Sequence, residues 1–388
     1  MSDVSSPVKL TCYQCGALYQ RAPLEPNQWA RCKRCDGLLE TYSYFTPMAW
    51  IAVVIATLIV LTLAYIFPVA TLFVQGSAQS SNFLHAVAVT WEAGYPEVAV
   101  LTFFVGFLLP VLHLLLLLWL FVPLAMGRLP SFFEPALGLL DHLKPWCMVP
   151  VFLVGALVAI VKLVDLASLT PGIGLFATIV AAVLITALTR LSGRKIRHMA
   201  IDMGLKVPPV APLPAPSPAA INKTWAFLVG AIFLYFPANL LPVMSISALG
   251  NDSRLTIMGG VIELWSMGSW DIALVVFIAS VFVPLFKIVL LSTLVYLTQI
   301  RSTQDLKRRT KLYHLVEFIG QWSMLDVFVV ILLAGLGKFG SLLDIEPGAG
   351  AAAFGGVVVL TMLAALNFDP RLAWRWAGHR RHTAWRHS

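Results

Sequence analysis

The chain has 388 residues, of which 59% are hydrophobic and only 12% are charged. A soluble domain has roughly 45–50% apolar and about 25% charged residues, so this composition excludes an ordinary soluble globular protein. The net charge of +8 would suggest a nucleic-acid partner in a soluble protein. In a chain this apolar, however, the basic residues first report membrane topology, and no nucleic-acid partner is expected.

Four of the five cysteines lie within the first 35 residues. Two residues lie between Cys12 and Cys15, and two lie between Cys32 and Cys35. Sixteen residues separate the two pairs. This spacing is typical of a zinc ribbon, in which four thiolates fill every coordination position of a structural metal. Zinc is the preferred interpretation, and iron or a redox dithiol pair are the alternatives. Cys147, at the start of an apolar run, is interpreted as a small apolar residue.

Eight apolar runs follow the cysteine segment and predict membrane-spanning helices, because about 20 apolar residues are needed to cross the hydrocarbon core. No apolar run with a small-residue cleavage site comes earlier, so we expect no removable signal peptide. Nearly all Lys and Arg residues lie in the N-terminal segment, in every second connection and in the C-terminal tail. The positive-inside rule therefore predicts that both termini are cytosolic. The predicted spans are 48–74, 98–124, 148–168, 174–190, 225–248, 270–298, 322–343 and 351–367, and the connections predicted to face outward are near 75–97, 169–173, 249–269 and 344–350.

The two halves of the chain share residues at a nearly constant offset. A shift of 174 residues pairs Pro68-Val69 with Pro242-Val243, and a shift of 176 pairs Trp146 with Trp322. These matches predict two homologous four-helix units, which are parallel because each has an even number of spans. The predicted fold class is an all-α polytopic membrane protein with a small N-terminal zinc ribbon. Its predicted domains are the cytosolic ribbon at 1–46, a first unit at 47–191, a Pro-rich cytosolic linker at 192–224, a second unit at 225–370 and a basic cytosolic tail at 371–388.

Ionisable side chains inside a predicted span are costly, so each is a candidate for a functional site. Lys287 lies deep in the sixth span, and Asp326 in the seventh is its predicted counter-charge. Ser323 lies one helical turn before Asp326, and Ser280 lies two turns before Lys287. Thr361, in the last span, extends this predicted polar strip. Two interpretations remain open: a buried ion pair that only fixes helix packing, and a hydrated network that changes protonation or contacts lipid headgroups during transport.

The first unit does not reproduce the pair of Lys287 and Asp326, because His113 and Pro150 stand at the equivalent positions. It carries instead Lys162 and Asp165, nearer the outer face. A lysine at this depth can extend its ammonium to the membrane surface, which is sufficient to explain it.

The cysteine pattern, the two Pro-Val pairs and a Trp-x-x-Gly sequence before each second span together resemble the paraquat-inducible protein A/LetA family. The resemblance implies an inner-membrane protein of Gram-negative bacteria that passes lipid to or from a periplasm-spanning MCE-domain tunnel protein. It also implies a polar network in the second unit and a charged pair in the first. The network consists of Ser280, Lys287, Ser323, Asp326 and Thr361, and the pair consists of Lys162 and Asp165.

The chain departs from the family pattern in one respect. Relatives usually carry a second four-cysteine ribbon before the second unit, whereas residues 191–224 contain no cysteine. Any function that needs two ribbons is therefore in doubt.

Three functions remain open. The preferred one is a lipid transporter subunit, with protonation of Asp326 as a hypothetical switch. The alternatives are a proton-coupled small-molecule exporter and a non-transporting, zinc-dependent membrane scaffold. Motifs of P-loop ATPases, zinc proteases and serine hydrolases are absent from the sequence, so no enzymatic activity is expected.

Overall fold

The computed structural model describes most of the chain, and it is mostly helical. The described residues are 9–21, 24–25, 28–42, 45–74, 77–164, 168–208, 217–248, 251–266, 268, 270–322, 324–336 and 343–384. The predictions that fall outside these ranges concern Ser323, Asp165, the central part of the predicted linker and the extreme C-terminus. The side chains of Lys162 and Asp326 are also outside the described set, although their helices are within it.

Two β-hairpins form the N-terminal segment, which we call the cysteine module (residues 9–42). Strand β1 (Lys9–Thr11) pairs with β2 (Leu18–Gln20), and β3 (Trp29–Arg31) pairs with β4 (Leu38–Thr41), both antiparallel. Each hairpin turns directly after its first cysteine: the amide of Gly16 bonds the carbonyl of Cys12 at 2.8 Å, and Asp36 bonds Cys32 at 2.8 Å. Both turn residues adopt positive φ angles, 72° and 63°. The two cysteine pairs are therefore held by equivalent turns.

The first half of the helical region starts with α1 (Pro47–Ile66), whose first turn is capped by the Thr46 side chain. It continues through β5 (Ala70–Val74), β6 (Ser77–Ser81), α2 (Phe83–Glu92), α3 (Pro96–Phe103), a π-turn (Phe104–Leu108), α4 (Leu109–Ala125), α5 (Phe133–Leu143), a 3-10 turn (Lys144–Trp146), α6 (Val149–Val164), β7 (Ser168–Pro171), α7 (Ile173–Thr189) and α8 (Gly193–Asp202).

In the described residues, the second half contains the same kinds of element in nearly the same order. Its elements are α9 (Ala219–Leu240), β8 (Met244–Ala248), β9 (Asn251–Leu255), α10 (Ile257–Ser266), α11 (Trp270–Phe277), a π-turn (Ile278–Phe282), α12 (Val283–Gln299), α13 (Leu306–Trp322), α14 (Leu325–Leu336), β10 (Leu343–Pro347), α15 (Ala349–Asn367) and α16 (Arg371–Ala384).

Each half carries a three-stranded antiparallel sheet, ordered β6-β5-β7 in the first half and β9-β8-β10 in the second. The prediction of an all-α fold was wrong for these segments, although the helical class is confirmed for most of the described chain. The predicted spans 48–74 and 225–248 end as helices at Ile66 and Leu240. The reason is local: Pro68 and Pro242 force the residue before them into extended backbone, and the chain continues as a strand.

The Pro-Val pairs identified by the offset form a close backbone contact in both halves. The amide of Gly172 donates to the carbonyl of Val69 at 2.9 Å, and Gly348 donates to Val243 at 2.7 Å. A Cβ atom on either glycine would lie within 2.2 Å of a proline carbonyl oxygen, so both positions require glycine. These contacts join the sheets to the starts of α7 and α15. The sheets and the cysteine module lie at opposite ends of the helices, which we call the sheet end and the module end.

Six helical stretches in the described residues are long and apolar enough to cross a membrane, and α7 with α8, bent by 64°, gives a seventh. The sequence predicts eight. The predicted span 322–343 corresponds to α14, which has 12 residues where about 20 are needed, and residues 337–342 lie outside the described set. Residues 327–334 of α14 are nearly all buried by protein. The predicted linker 192–224 contains α8 and the start of α9.

Helix α14 packs into the first half, against α2 and α6. The rings of Phe328 and Phe152 meet edge to face with centroids 5.5 Å apart. Gly155 lets the two helices approach closely, because a Cβ there would lie 3.0 Å from the Phe328 side chain. The two halves therefore share one apolar core.

Candidate functional site

The four cysteine sulfurs form a compact, buried cluster. Their ligand atoms all lie within 4.8 Å of one another, and Cys12 approaches Cys35 at 3.5 Å while Cys15 approaches Cys32 at 3.6 Å. Tetrahedral coordination at a Zn–S distance of about 2.3 Å requires sulfur–sulfur distances of about 3.8 Å, so these thiols fit such a metal. Four thiol ligands would fill all four positions of a tetrahedral metal ion, so no coordination position would remain for water. The cluster could hold a structural metal ion.

The cysteine module contacts both halves of the helical region. Its buried residues pack with Trp374 of α16, and the Arg34 guanidinium lies 5.0 Å from the centre of that indole ring. Gln14 bonds His314 of α13 at 2.5 Å, and Arg21 bonds Asp202 of α8 at 2.7 Å. The module therefore bridges the ends of the two halves.

Glu40 is the centre of the contact with the first half. Its side chain is only 8% exposed and accepts hydrogen bonds from His198 of α8 at 2.9 Å and from Arg21 at 2.7 Å. Burial alone would raise the pKa of Glu40, but the hydrogen bonds from His198 and Arg21 outweigh it and lower the pKa to about 2. The carboxylate is therefore the form that stabilises this contact.

We expect Glu40→Gln to weaken the attachment of the module to α8 by about 1–3 kcal/mol at neutral pH, because hydrogen bonds to a buried charge are lost. Since the folded-state pKa of about 2 is below the ordinary 4.5, the contribution of the carboxylate is present above pH 4.5 and disappears as pH falls through about 2. Because acid also releases a metal from thiolates, the comparison is made between pH 5 and 8, where the carboxylate contributes fully and Glu40→Gln should melt below wild type. Thermal release of the module, followed by limited proteolysis, measures this difference.

The matched control is Glu25→Gln, since Glu25 is exposed and, among the described residues, bonds only Gln28 of its own loop. Equal melting of wild type and Glu40→Gln between pH 5 and 8 would contradict the assignment.

Lys287 lies in α12 and is only 1% exposed. Its ammonium donates to the Thr361 hydroxyl of α15 at 2.9 Å, and that hydroxyl donates to the Val358 carbonyl at 3.0 Å. Gly320 of α13 faces the ammonium, because a Cβ there would lie 3.7 Å from Nζ. Among the described side chains, Thr361 is the partner of the ammonium, which leaves two of its three N–H donors for other groups. Burying an ammonium with one neutral partner is costly.

A π-turn precedes this site on the same helix. It spans Ile278–Phe282, and Pro284 follows at the start of α12. Because proline has no backbone N–H, a regular α-helix would be broken at Pro284, and the wider π-turn precedes this point. Ser280, within the π-turn, is buried and donates to the Val276 carbonyl at 2.6 Å. The first half has the same arrangement, a π-turn ahead of Pro110.

The structure brings together part of the predicted network. Lys287 and Thr361 are in contact, whereas Ser280 bonds within its own helix. Ser323 lies outside the described residues, and the Asp326 side chain is not described, so their place in the network stays a prediction. The same holds for the pair of Lys162 and Asp165.

His113 occupies the position of Lys287 in the first half. It is 1% exposed, and neither ring nitrogen has a hydrogen-bond partner among the described residues. The two halves therefore place different ionisable side chains at the same point of α4 and α12.

Sequence reasoning missed the contacts of the module with α8, α13 and α16. The signal in the sequence was the basic, amphipathic segment 193–202, which was assigned to the linker. Its buried face carries His198, whose charge-bearing partner Glu40 lies 158 positions earlier in the chain. Contacts over such a separation depend on the tertiary fold.

These features define a multi-pass membrane protein with a four-thiol module docked at one end of its helices. The chain belongs to the paraquat-inducible protein A family, whose sequence model matches residues 48–197 and 221–377.

Curated relatives cover nearly the whole chain. The Intermembrane transport protein PqiA of Escherichia coli strain K12 is 33% identical, with 94% of this chain and 95% of that protein aligned. A probable intermembrane transport protein of Haemophilus influenzae is 29% identical over 96% of this chain and 97% of its own length. The Lipophilic envelope-spanning tunnel protein A of E. coli K12 is also 29% identical, over 94% and 90%. No solved structure matches the chain significantly.

Proposed function

We propose that this protein is an inner-membrane subunit of a lipid transport system that passes lipid to or from a periplasmic MCE-domain tunnel protein. The names of its relatives, which describe intermembrane transport and an envelope-spanning tunnel, support this proposal. The observation that carries it is the buried Lys287. A buried ammonium that, among the described side chains, has only the Thr361 hydroxyl as a partner is suited to the phosphate of a lipid headgroup.

In this proposal the lipid headgroup enters the space between α12, α13 and α15. Lys287 and Thr361 supply hydrogen bonds, Asp326 acts as the counter-charge, and Ser280 and Ser323 extend the polar lining. Protonation of Asp326 would change the cost of burying Lys287 and could couple lipid release to a proton. The small residues of α13, such as Gly320, leave room beside the ammonium.

The remaining features of the proposal concern topology and the metal. Both termini and the module end face the cytosol, the two halves are homologous four-span units, and the sheets face the periplasm where the tunnel docks. The cysteine module binds Zn²⁺ as a structural metal. The pair of Lys162 and Asp165 belongs to the sheet end of the first unit.

The test of this function is capture of the tagged protein from cross-linked envelopes, with the co-purified lipid identified by mass spectrometry. We expect an MCE-domain protein and phospholipid to be enriched over a control capture with an unrelated tagged membrane protein. Two outcomes contradict the proposal. One is a pH gradient that drives uptake of a soluble compound by the protein alone in vesicles, as expected of an exporter. The other is capture with neither lipid nor a periplasmic partner, as expected of a scaffold.

A further inference from the structure

A cleft of about 490 Å³ lies at the module end, between the two halves. The first half contributes the ends of α5 and α7 and the start of α8, the second half contributes α13, and the cysteine module closes the cleft through Tyr13. Its polar lining includes Tyr13, Asp141, Lys144, Ser192, Arg194 and His314. The cleft is separate from the Lys287 site, and no residue is shared between them.

The carboxylate of Asp141, the acidic side chain in this cleft, already has hydrogen-bond donors among its neighbours. The Asp141 carboxylate accepts from the ammonium of Lys144 at 3.0 Å and from the amide of Gly193 at 3.1 Å. Arg194 is therefore left without a carboxylate partner among the described residues. The cleft carries a formal excess of one positive charge when His314 is neutral.

Among the described residues, the guanidinium of Arg194 is held in place by ring stacking and not by hydrogen bonds. It stacks on the Tyr13 ring, with the central carbon 4.2 Å from the ring centroid. Stacking fixes the plane of the group and leaves its in-plane N–H donors clear of the ring, which suits bidentate binding of a phosphate. The Ser192 oxygen accepts from the Lys195 amide at 3.2 Å, so its hydroxyl hydrogen is also available. Two N–H donors of Lys144 add to this set.

One wall of the cleft is apolar and faces away from the protein. Phe318 of α13 lines the cleft and is 64% exposed, and Leu315, one turn away on the same helix, is 41% exposed. The apolar helix α7 ends at Thr189 on the opposite wall. The basic groups and the apolar side chains therefore lie where a spanning helix bundle meets its polar end, as the headgroup and the acyl chains of a lipid do.

We infer that this cleft binds a membrane phospholipid of the leaflet at the module end, with the phosphodiester on Arg194 and Lys144 and an acyl chain along Phe318. This inference rests on the proposed function and adds to it a second lipid site, at the opposite end of the bundle from the sheets. The opening between the halves would then be where lipid is exchanged with that leaflet.

The test uses the full-length protein in phosphatidylcholine vesicles that contain a photoactivatable phosphatidylglycerol, with the cross-linked peptides mapped by mass spectrometry. We expect cross-links to peptides that line the cleft. Arg194→Gln should reduce them about tenfold, because charged hydrogen bonds to the phosphate are lost. The control is Arg190→Gln, since Arg190 lies four residues earlier, is exposed and does not line the cleft.

Two results would overturn the inference. Cross-linking at the cleft that is unchanged by Arg194→Gln would remove the assigned donor. Competition by inorganic phosphate that is as effective as competition by unlabelled phosphatidylglycerol would indicate a site for a soluble anion. Either result leaves the proposed function intact if Lys287→Met still abolishes lipid transfer, whereas normal transfer by Lys287→Met contradicts the function itself.

Discussion

Replacement of Lys287 by methionine should lower the rate of phospholipid transfer at least about tenfold, because a charged hydrogen-bond donor to the headgroup is lost. The protein should remain folded. Methionine is close to lysine in length, and removing a buried charge with an apolar residue of similar volume is often neutral or stabilising. The measurement is transfer of labelled phospholipid from vesicles containing the protein to a purified MCE-domain acceptor.

Two variants make the Lys287 experiment specific. Lys223→Met removes an exposed lysine at the start of α9 and should transfer lipid normally. Thr361→Val removes the hydroxyl that accepts from Lys287 while keeping the shape of the side chain, and we expect an intermediate rate. Transfer by Lys287→Met at the wild-type rate would show that the buried ammonium serves packing alone.

Serine at both Cys12 and Cys35 should abolish metal binding and unfold the cysteine module. The module has two short hairpins and little apolar material, so most of its folding free energy is expected to come from the metal. Structural zinc sites in peptides of this kind contribute about 10–16 kcal/mol at neutral pH. We expect zinc, measured by elemental analysis of the purified protein, to be lost, and trypsin to cut the module at arginines that are protected in the wild type.

The loss should extend to the docking contacts, because the folded module positions Glu40, Gln14 and Arg34 against the two halves. Cys147→Ser is the control, since Cys147 is far from the cluster in sequence and bonds the Leu143 carbonyl. Retention of stoichiometric zinc or of full protease protection by the double variant would contradict a four-thiolate site.

Local spacing and composition predicted the parts of this structure that depend on nearby residues. Only two residues separate the cysteines within each pair, so their turns are set by short-range geometry, and the cluster forms where it was expected. Long apolar runs likewise predicted most of the helices. The strands at 70–81 and 244–255 were missed because segments such as Ala70–Val74 are apolar and continue the hydrophobic run of α1. Hydrophobicity alone does not distinguish a short apolar strand from a continued apolar helix.

The intramembrane site could be predicted only in part. A lysine within an apolar run stands out because its burial is costly, so Lys287 was identified without any fold. Its contact with Thr361, 74 residues later, depends on how α12 and α15 are rotated against each other, which the sequence does not specify. The same limit applies to the cleft at Arg194, which is assembled from the module and from both halves.

The equivalent positions of the two halves also differ in chemistry. Where α12 has Lys287, bonded to Thr361, α4 has His113 with no partner among the described residues. The equivalent order of elements therefore does not imply equivalent sites. In the proposed function, the headgroup contact inside the bundle therefore belongs to the second half, through Lys287.

The most direct test of the account is the accessibility of Lys287 during lipid transfer. The ammonium is buried in this structure, but in the proposed function it must meet the headgroup of a moving lipid. A membrane-permeant, amine-reactive reagent should modify Lys287 while transfer proceeds, and excess phospholipid should protect this residue. Mass spectrometry of the peptide that contains Lys287 measures the modification. A Lys287 that stays unmodified under every condition, while transfer runs at its full rate, would contradict the account.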